Sequence, residues 1–301
     1  MAFGFDVAAL PAYTDQLSLD LISKVVLKTD LLDYIDLRSG FTSGTVAINL
    51  VDAALPVSAL SCGWTSDGQV TYTQVNVIIE SLQSKTEMCV EDLRSVYQSA
   101  FMNAGTGNDF IPFENVISES YADKLRKYNE GFLINGSAGG AMTGLKGQIT
   151  AANGANLQGG VIAAWTAANA FEQALDLYDA IDESVKDRDD LIMVVSPDAY
   201  RALVRALVAQ NLYHFNSVES NDILILPGTN VTVVKSSGLV GSDNKFAGPG
   251  KMILAATGLT DELDNFRFFY DEAADVMKFR AAWRLGVGVG EVNVFATNDM
   301  A

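Results

Sequence analysis

The sequence predicts an α+β fold, and three observations carry that prediction. Two runs with a two-residue apolar period lie within residues 44–89 and are separated by a long connection. A run from Pro112 to Phe132 steps at three and four, as a long amphipathic helix does. Strand-like and helix-like runs then mix from Val161 to Thr257, before the chain returns to β-type alternation near its end.

The first sixteen residues have no clear period and contain Pro11, so they read as an extended arm. Apolar residues at Leu17, Leu21, Ile22, Val25, Val26, Leu32 and Ile35 predict a helix over Leu17–Leu37, broken by Gly40 and Gly44. Thr45–Leu50 alternates as a half-buried strand. Val70, Tyr72 and, after a phase shift, Val75, Val77 and Ile79 restore the alternation, with a turn signal at Ser66-Asp67-Gly68. Together they predict one extended hairpin.

Leu93, Val96, Tyr97, Ala100 and Phe101 predict a short helix over Val90–Ala104, ended by Gly105–Asp109. Pro112 suits a first helical turn. Val116, Ile117, Tyr121, Leu125, Tyr128 and Phe132 then continue as one helix of roughly 30 Å at ~1.5 Å per residue. Gln148–Gly160 is polar and small, the best boundary between subdomains. A helical stripe runs from Trp165 through Phe171, Leu175 and Tyr178 to Val185. Leu191–Val195 reads as a buried strand, and Ser196-Pro197 as an N-cap with proline at the first helical position of Asp198–Gln210. Ile223–Leu226, Val231–Val234 and Met252–Ala256 read as short strands. Phe266–Tyr270, Val276–Val289 and Val292–Phe295 complete the β return.

Composition narrows the function classes. The chain has 301 residues, enough for one elaborated domain or two smaller ones. Hydrophobic residues at 49% and charged residues at 19% describe a globular protein. A formal charge of −17 repels nucleic acid at long range and argues against a sequence reader. Cys62 and Cys89 form no CxxC motif and read as free thiols. No apolar run spans a bilayer and no signal peptide is visible, so the chain is expected to be cytoplasmic when made.

Chemistry has few places to reside. The single histidine, His214, sits in an aromatic stretch without a GxSxG elbow. Gly248-Pro249-Gly250-Lys251 resembles a phosphate loop only in part; Met252 stands where Ser or Thr holds magnesium, and a turn before a strand is the better reading. Gly136–Gly147 follows a helix rather than a strand, which is the wrong context for a dinucleotide fingerprint. Asp176, Asp179, Asp182, Glu183, Asp187, Asp189 and Asp190 form an acidic cluster without EF-hand spacing, expected as a solvated helix face. No catalytic, cofactor-binding or metal-ligating residue is assigned.

The long helix runs directly into Gly131-Phe132-Leu133-Ile134-Asn135-Gly136-Ser137-Ala138-Gly139-Gly140-Ala141-Met142-Thr143-Gly144-Leu145. This junction resembles the spine helix and glycine loop of tailed-bacteriophage major capsid proteins, the Hong Kong-type capsid fold shared with encapsulins. Leu191–Tyr200, Leu226–Val234 and Val276–Val289 resemble further patches of that family, in the same order along the chain.

The resemblance implies an N-terminal arm (1–43), an extended hairpin loop (44–89), a peripheral domain with the spine helix and glycine loop (90–150), an axial domain (151–262) and returning peripheral strands (263–301). It implies a non-enzymatic shell subunit with no cofactor. The expected partners are other copies in pentamers and hexamers, scaffold, portal and decoration proteins, and packaged double-stranded DNA held without specificity; no membrane is among them. The expected location is the virion. The acidic residues Asp176–Asp190 would then gather near a capsomer axis. Cross-linking members of the family use a lysine on the extended loop. Lys85 is the only lysine between Thr42 and Val90 and lies away from the hairpin's tip, so cross-linking is not expected. The hairpin begins near Gly44, which leaves no room for a cleaved scaffolding segment and implies a separate scaffold. Two alternatives stand beside this reading: an encapsulin-type compartment, and an acidic metal or carboxylate enzyme around Asp176–Asp190.

Overall fold

A computed structural model describes residues 31–41, 44–53, 70–89, 113–139, 141–159, 163–210, 224–258, 267–271, 274 and 276–299. The elements, in order, are β1 (Asp36–Arg38), β2 (Gly44–Ala53), β3 (Val70–Cys89), α1 (Phe113–Asn135), α2 (Leu145–Gln148), β4 (Asn156–Leu157), α3 (Ala170–Asp179), β5 (Leu191–Val195), α4 (Pro197–Ala209), β6 (Leu224–Ile225), β7 (Thr232–Lys235), β8 (Phe246–Pro249), β9 (Ile253–Thr257), β10 (Arg267–Asp271), β11 (Val276–Val289) and β12 (Ala296–Thr297). The fold is α+β, as the sequence predicts.

The elements form two six-stranded sheets. The first runs β1-β9-β11-β3-β2, with β10 also paired to β11; the second runs β4-β12-β8-β5-β7-β6. In the first, β3 has two partners in sequence. Its N-terminal half pairs antiparallel with β2, from Ala53 opposite Val70 to Gly44 opposite Ile79. Its C-terminal half pairs antiparallel with β11, from Gly286 opposite Ile79 to Val276 opposite Cys89. The predicted hairpin therefore exists as a β2–β3 ribbon, roughly 30 Å long at ~3.4 Å per residue, whose inner strand continues into the sheet. The turn signal Ser66–Gly68 and the predicted helix Val90–Ala104 lie outside the described residues.

Helix α1 covers one face of the first sheet. Ala122, Leu125, Phe132, Leu133 and Ile134 are buried, and the Tyr121 ring stacks on Phe279 with centroids 4.6 Å apart. Across the β3–β11 pairing, alternate residues of β11, namely Phe279, Ala281, Trp283 and Leu285, are buried, while Lys278, Arg280, Ala282 and Arg284 are half-buried or exposed. In the second sheet every residue of β5 and β8 is buried. Ser196 caps α4 by accepting from the Ala199 N–H at 3.3 Å, with Pro197 in the first turn. Leu203, Ala206 and Leu207 of α4 and Ala174 and Leu177 of α3 are buried where the helices pack on each other and on the sheet.

Several expectations need correction. Leu32–Leu37 is not helical: Leu32–Tyr34 is one 3-10 turn, Ile35 is extended, and Asp36–Arg38 pairs parallel with β9. Backbone pairing with a buried strand outweighs the weak helical period of this stretch; residues 1–30, with the expected arm and the rest of the expected helix, lie outside the described residues. The stripe from Trp165 to Val185 is helical only over Ala170–Asp179. Trp165, Ile181 and Val185 are buried from flanking turns, so their spacing reflects the core and not a continuous helix. The turn expected over Gly248–Lys251 before a strand is present as the 3-10 turn Gly250–Met252 before β9, but Gly248-Pro249 is not part of it. That pair ends β8, a central strand, with Gly248 opposite Ile192 and Pro249 opposite Leu191 at the strand's end, where a missing N–H is tolerated. A Cβ on Gly248 would stand 2.3 Å from the Phe295 ring, so glycine here admits the aromatic packing of a neighbouring strand. Val292–Val294 is a 3-10 turn, and the last strand is Ala296–Thr297.

Sheet membership crosses two of the expected segment boundaries. β9, within 151–262, pairs in the first sheet, whereas β12, within 263–301, pairs with β4 and β8 in the second. The expected boundary segment, Gln148–Gly160, starts at the last residue of α2 and holds β4; Gln148 is bonded to the first sheet and β4 is paired into the second.

Candidate functional site

The predicted glycine loop is a closed structural knot. Gly136 bridges Thr143, and the Ser137 N–H donates to the Met142 carbonyl at 3.1 Å. Gly136 has φ +78°. A Cβ on Gly144 would lie 2.2 Å from the Gly136 nitrogen and 2.4 Å from the Ile134 carbonyl oxygen, both backbone atoms that cannot give way. Gly144 has an ordinary φ of −73°, so it is required by this close approach and not by a left-handed backbone. No approach of another chain segment constrains Gly139, where φ is +82°.

The knot is tied to both sheets by side chains. The Gln148 amide Nε2 donates to the Val287 carbonyl at 3.1 Å, and its Oε1 accepts from the Val289 N–H at 3.1 Å, which completes the edge of β11 as a further strand would. Ser137 donates to Glu80 on β3 at 3.2 Å. At the end of α1, the buried Glu130 carboxylate accepts from the Ser237 N–H at 3.1 Å and from its hydroxyl. Asn135 Nδ2 donates to the Gly238 carbonyl at 2.8 Å. Trp283 Nε1 donates to Asn129 Oδ1 at 2.9 Å in the core. Helix α1 is thus a rigid strut, with one face on the first sheet and its C-terminal turn bonded to the Ser237–Leu239 turn that follows β7.

The ribbon is the opposite case. On β3, Val70 is 50% exposed, Tyr72 73% and Ile78 37%, and Gln74 and Asn76 between them are exposed as well. Among the side chains described on this half of β3, the buried ones are Val77 and Ile79 at the base, which join Leu254 and Ala256 in a small cluster with Phe41 against it. Among the described residues β2 pairs with β3 alone, which leaves its outer backbone edge open to a further strand.

The acidic cluster separates into local roles. Only Asp176 and Asp179 lie on α3, which ends at Asp179, so the cluster is not one helix face. Asp182 accepts from the Ser184 hydroxyl at 2.5 Å and from the Ser184 N–H at 2.9 Å, and this bonding holds its pKa below the usual carboxylate value. Glu183 pairs with Lys186 at 2.9 Å. Asp190 takes both arms of the Arg188 guanidinium at 2.8 Å, which lowers its pKa, and accepts weakly from the Lys251 N–H. Among the described residues no group of three or more His, Cys, Asp or Glu is placed to hold a metal ion. Lys251 of the phosphate-loop lookalike follows a central strand. Cys89 is an exposed free thiol at the end of β3; Cys62 and His214 lie outside the described residues. Among the described residues no helix is long and apolar enough to cross a membrane.

Sequence reasoning missed one feature near these elements. Lys245, beside β8, is 1% exposed; its Nζ donates to the Asp243 carbonyl at 2.5 Å and lies 5.3 Å from the Trp165 ring centroid. Burial pushes its pKa down. A lysine in a polar run carries no sequence signal for this placement.

No family model matches the chain, and no curated protein does. Solved structures match along almost its whole length. The chain is similar to the capsid of the native GTA particle computed with C5 symmetry, at 14% identity and a TM-score of 0.59 over 90% of this chain and 89% of that one. It is similar to a chain of Gordonia phage Cozz, at 10% identity and a TM-score of 0.59 over 90% and 85%. It is also similar to the virus-like particle from Pyrococcus furiosus, at 11% identity and a TM-score of 0.54 over 95% and 98%. The chain therefore has the fold of a viral capsid subunit. In particular, this is the Hong Kong-type fold of tailed-phage capsid proteins that the helix-to-glycine-loop junction had suggested.

Proposed function

We propose that this chain is a major capsid protein that self-assembles into the icosahedral head shell of a tailed double-stranded DNA phage and catalyses no reaction. The observation that carries the reading is the fold likeness to capsid chains over nine-tenths of both partners. The molecule's own physics agrees. A two-stranded ribbon with exposed apolar residues is marginal alone and gains stability from a partner surface. In this reading the ribbon is the extended loop that lies on a neighbouring subunit. Helix α1 and its glycine knot form the rigid spine, and the second sheet forms the axial body. Pentamers and hexamers of the chain make the shell in the host cytoplasm, with separate scaffold and portal proteins and packaged DNA as the remaining partners. A formal charge of −17 suits a wall along which packed DNA slides, because it disfavours tight phosphate binding.

Size-exclusion chromatography with light scattering tests the reading on purified protein, alone and co-expressed with its scaffold. Pentamers, hexamers or particles are expected. A stable monomer or dimer under every condition contradicts it, and particles that retain a protein cargo and no DNA would point to a compartment shell instead.

A further inference from the structure

The open face of the first sheet carries an arrangement of charge that its own stability does not explain. Across three neighbouring strands, Arg267 of β10 stands opposite Arg280 of β11, and Arg280 stands opposite Lys85 of β3. Like charges in direct cross-strand pairing destabilise a sheet. At ~4.8 Å between strands, three cationic positions occupy a row only about 10 Å long. Arg280 and Lys85 are exposed, on the side of the sheet away from α1, whose side is marked by buried Phe279, Ala281 and Trp283. Lys278 and Arg284 of β11 flank Arg280 two and four residues away. Among the described residues the acids nearby in the pairing are Glu87, opposite Lys278, and Asp271, which is bonded to Lys278. Counted over the described residues, the patch is positive in a protein whose formal charge is −17.

We infer that this cationic row is a contact surface for a carboxylate-rich face of a second copy of the chain. The inference rests on the shell reading above. Subunits with a formal charge of −17 repel one another, and that repulsion must be offset locally where copies meet. The chain has 37 acidic residues against 20 basic ones, so acidic surface is plentiful and clustered cations are scarce. Concentrating them on one exposed sheet face, at a cost to that sheet, is what a charge-complementary contact requires. Nucleic acid is the competing occupant, and the overall charge disfavours it.

The test compares wild-type protein with Arg280→Glu/Lys85→Glu and with Arg280→Thr/Lys85→Thr, in which threonine keeps strand propensity. Particle yield against protein concentration is followed by light scattering and electron microscopy, and melting of the unassembled subunit by circular dichroism. The charge reversal should cut particle yield at least tenfold, the threonine pair should fall between it and wild type, and neither should melt below wild type. Wild-type yield from the charge-reversal variant overturns the inference while the shell reading stands. So does a melting point lowered by 10 °C or more in both variants, since the row would then serve the subunit itself. Normal shells that lose only their DNA would assign the row to nucleic acid and overturn it as well. Wild-type protein that forms no particle ends both the shell reading and this inference.

Discussion

The two sheets dispose of their apolar residues in different ways. In the second, β5 is buried at all five positions and β8 at all four, and helices α3 and α4 close over them. That sheet completes its core inside one subunit. In the first, the β3–β11 half is covered by α1, but the β2–β3 half extends past the cover; among its described inner-strand side chains Val77 and Ile79 are buried and Val70, Tyr72, Gln74, Asn76 and Ile78 are exposed. The same strand, β3, is thus self-sufficient at one end and unfinished at the other. Long hairpins without a core of their own are marginal. On the proposed shell function, the contrast makes stability and assembly separable: substitutions in the second sheet or the knot should unfold the subunit, and substitutions on the ribbon should spare it and stop its association.

The largest expected effect lies in the knot. Gly144→Val drives a branched side chain into the backbone of Gly136 and Ile134, and should cost more than about 4 kcal/mol, with loss of soluble folded protein. Gly139→Val, strained by its φ of +82° but facing no neighbour within 4 Å, should cost only about 1–2 kcal/mol, read by denaturant unfolding. Equal effects would mean that close approach is not what holds the loop.

Leu203→Ala on α4 removes a fully buried side chain from the self-contained half and should cost about 2–5 kcal/mol, measured the same way. A loss under about 1 kcal/mol would show that this core is looser than its burial indicates.

Asp190→Asn breaks the two-armed bond to Arg188 and should cost about 1–3 kcal/mol at pH 7. The sign with pH follows from the lowered pKa of Asp190. Its contribution is fully present above the ordinary carboxylate value of about 3.9 and fades as pH falls through the lower folded value. Melting curves of wild type and variant should therefore begin to draw together only below about pH 4. A constant gap down to pH 2 would assign the effect to packing.

The smallest effect on the subunit sharpens the comparison most. Tyr72→Ser on the ribbon should change subunit stability by no more than about 0.5 kcal/mol, because the side chain is 73% exposed. Particle formation should nevertheless fall sharply. A destabilised subunit would place Tyr72 in the chain's own core.

What the sequence disclosed follows the same division. Elements with a strong period and a completed environment were legible: Leu191–Val195, the Ser196-Pro197 helix start, and the long helix into its glycine loop. The C-terminal half of β3 was not. From Ser81 to Glu87 burial alternates between half-buried and exposed, with Leu82 the one apolar residue to mark it, because β11 pairs beside it and α1 covers one face only in part. β8 was hidden because Gly248 and Pro249 signal a turn locally, while Phe295 and the flanking strands β5 and β12 impose a strand. Two-residue strands such as β4 and β12 have no period to read. Of the candidate surfaces, the ribbon was visible from alternation. The Arg267–Arg280–Lys85 row required the register of three strands, of which β3 is distant in sequence from β10 and β11.

The central claim is that the ribbon finishes its fold on another subunit within a closed shell. Electron cryo-microscopy of particles from co-expression with the scaffold tests it most directly. The account predicts an icosahedral shell in which residues 44–79 lie against a neighbouring copy and Tyr72 is buried between subunits. Particles in which that segment folds back onto its own sheet, or only small soluble oligomers, would contradict it.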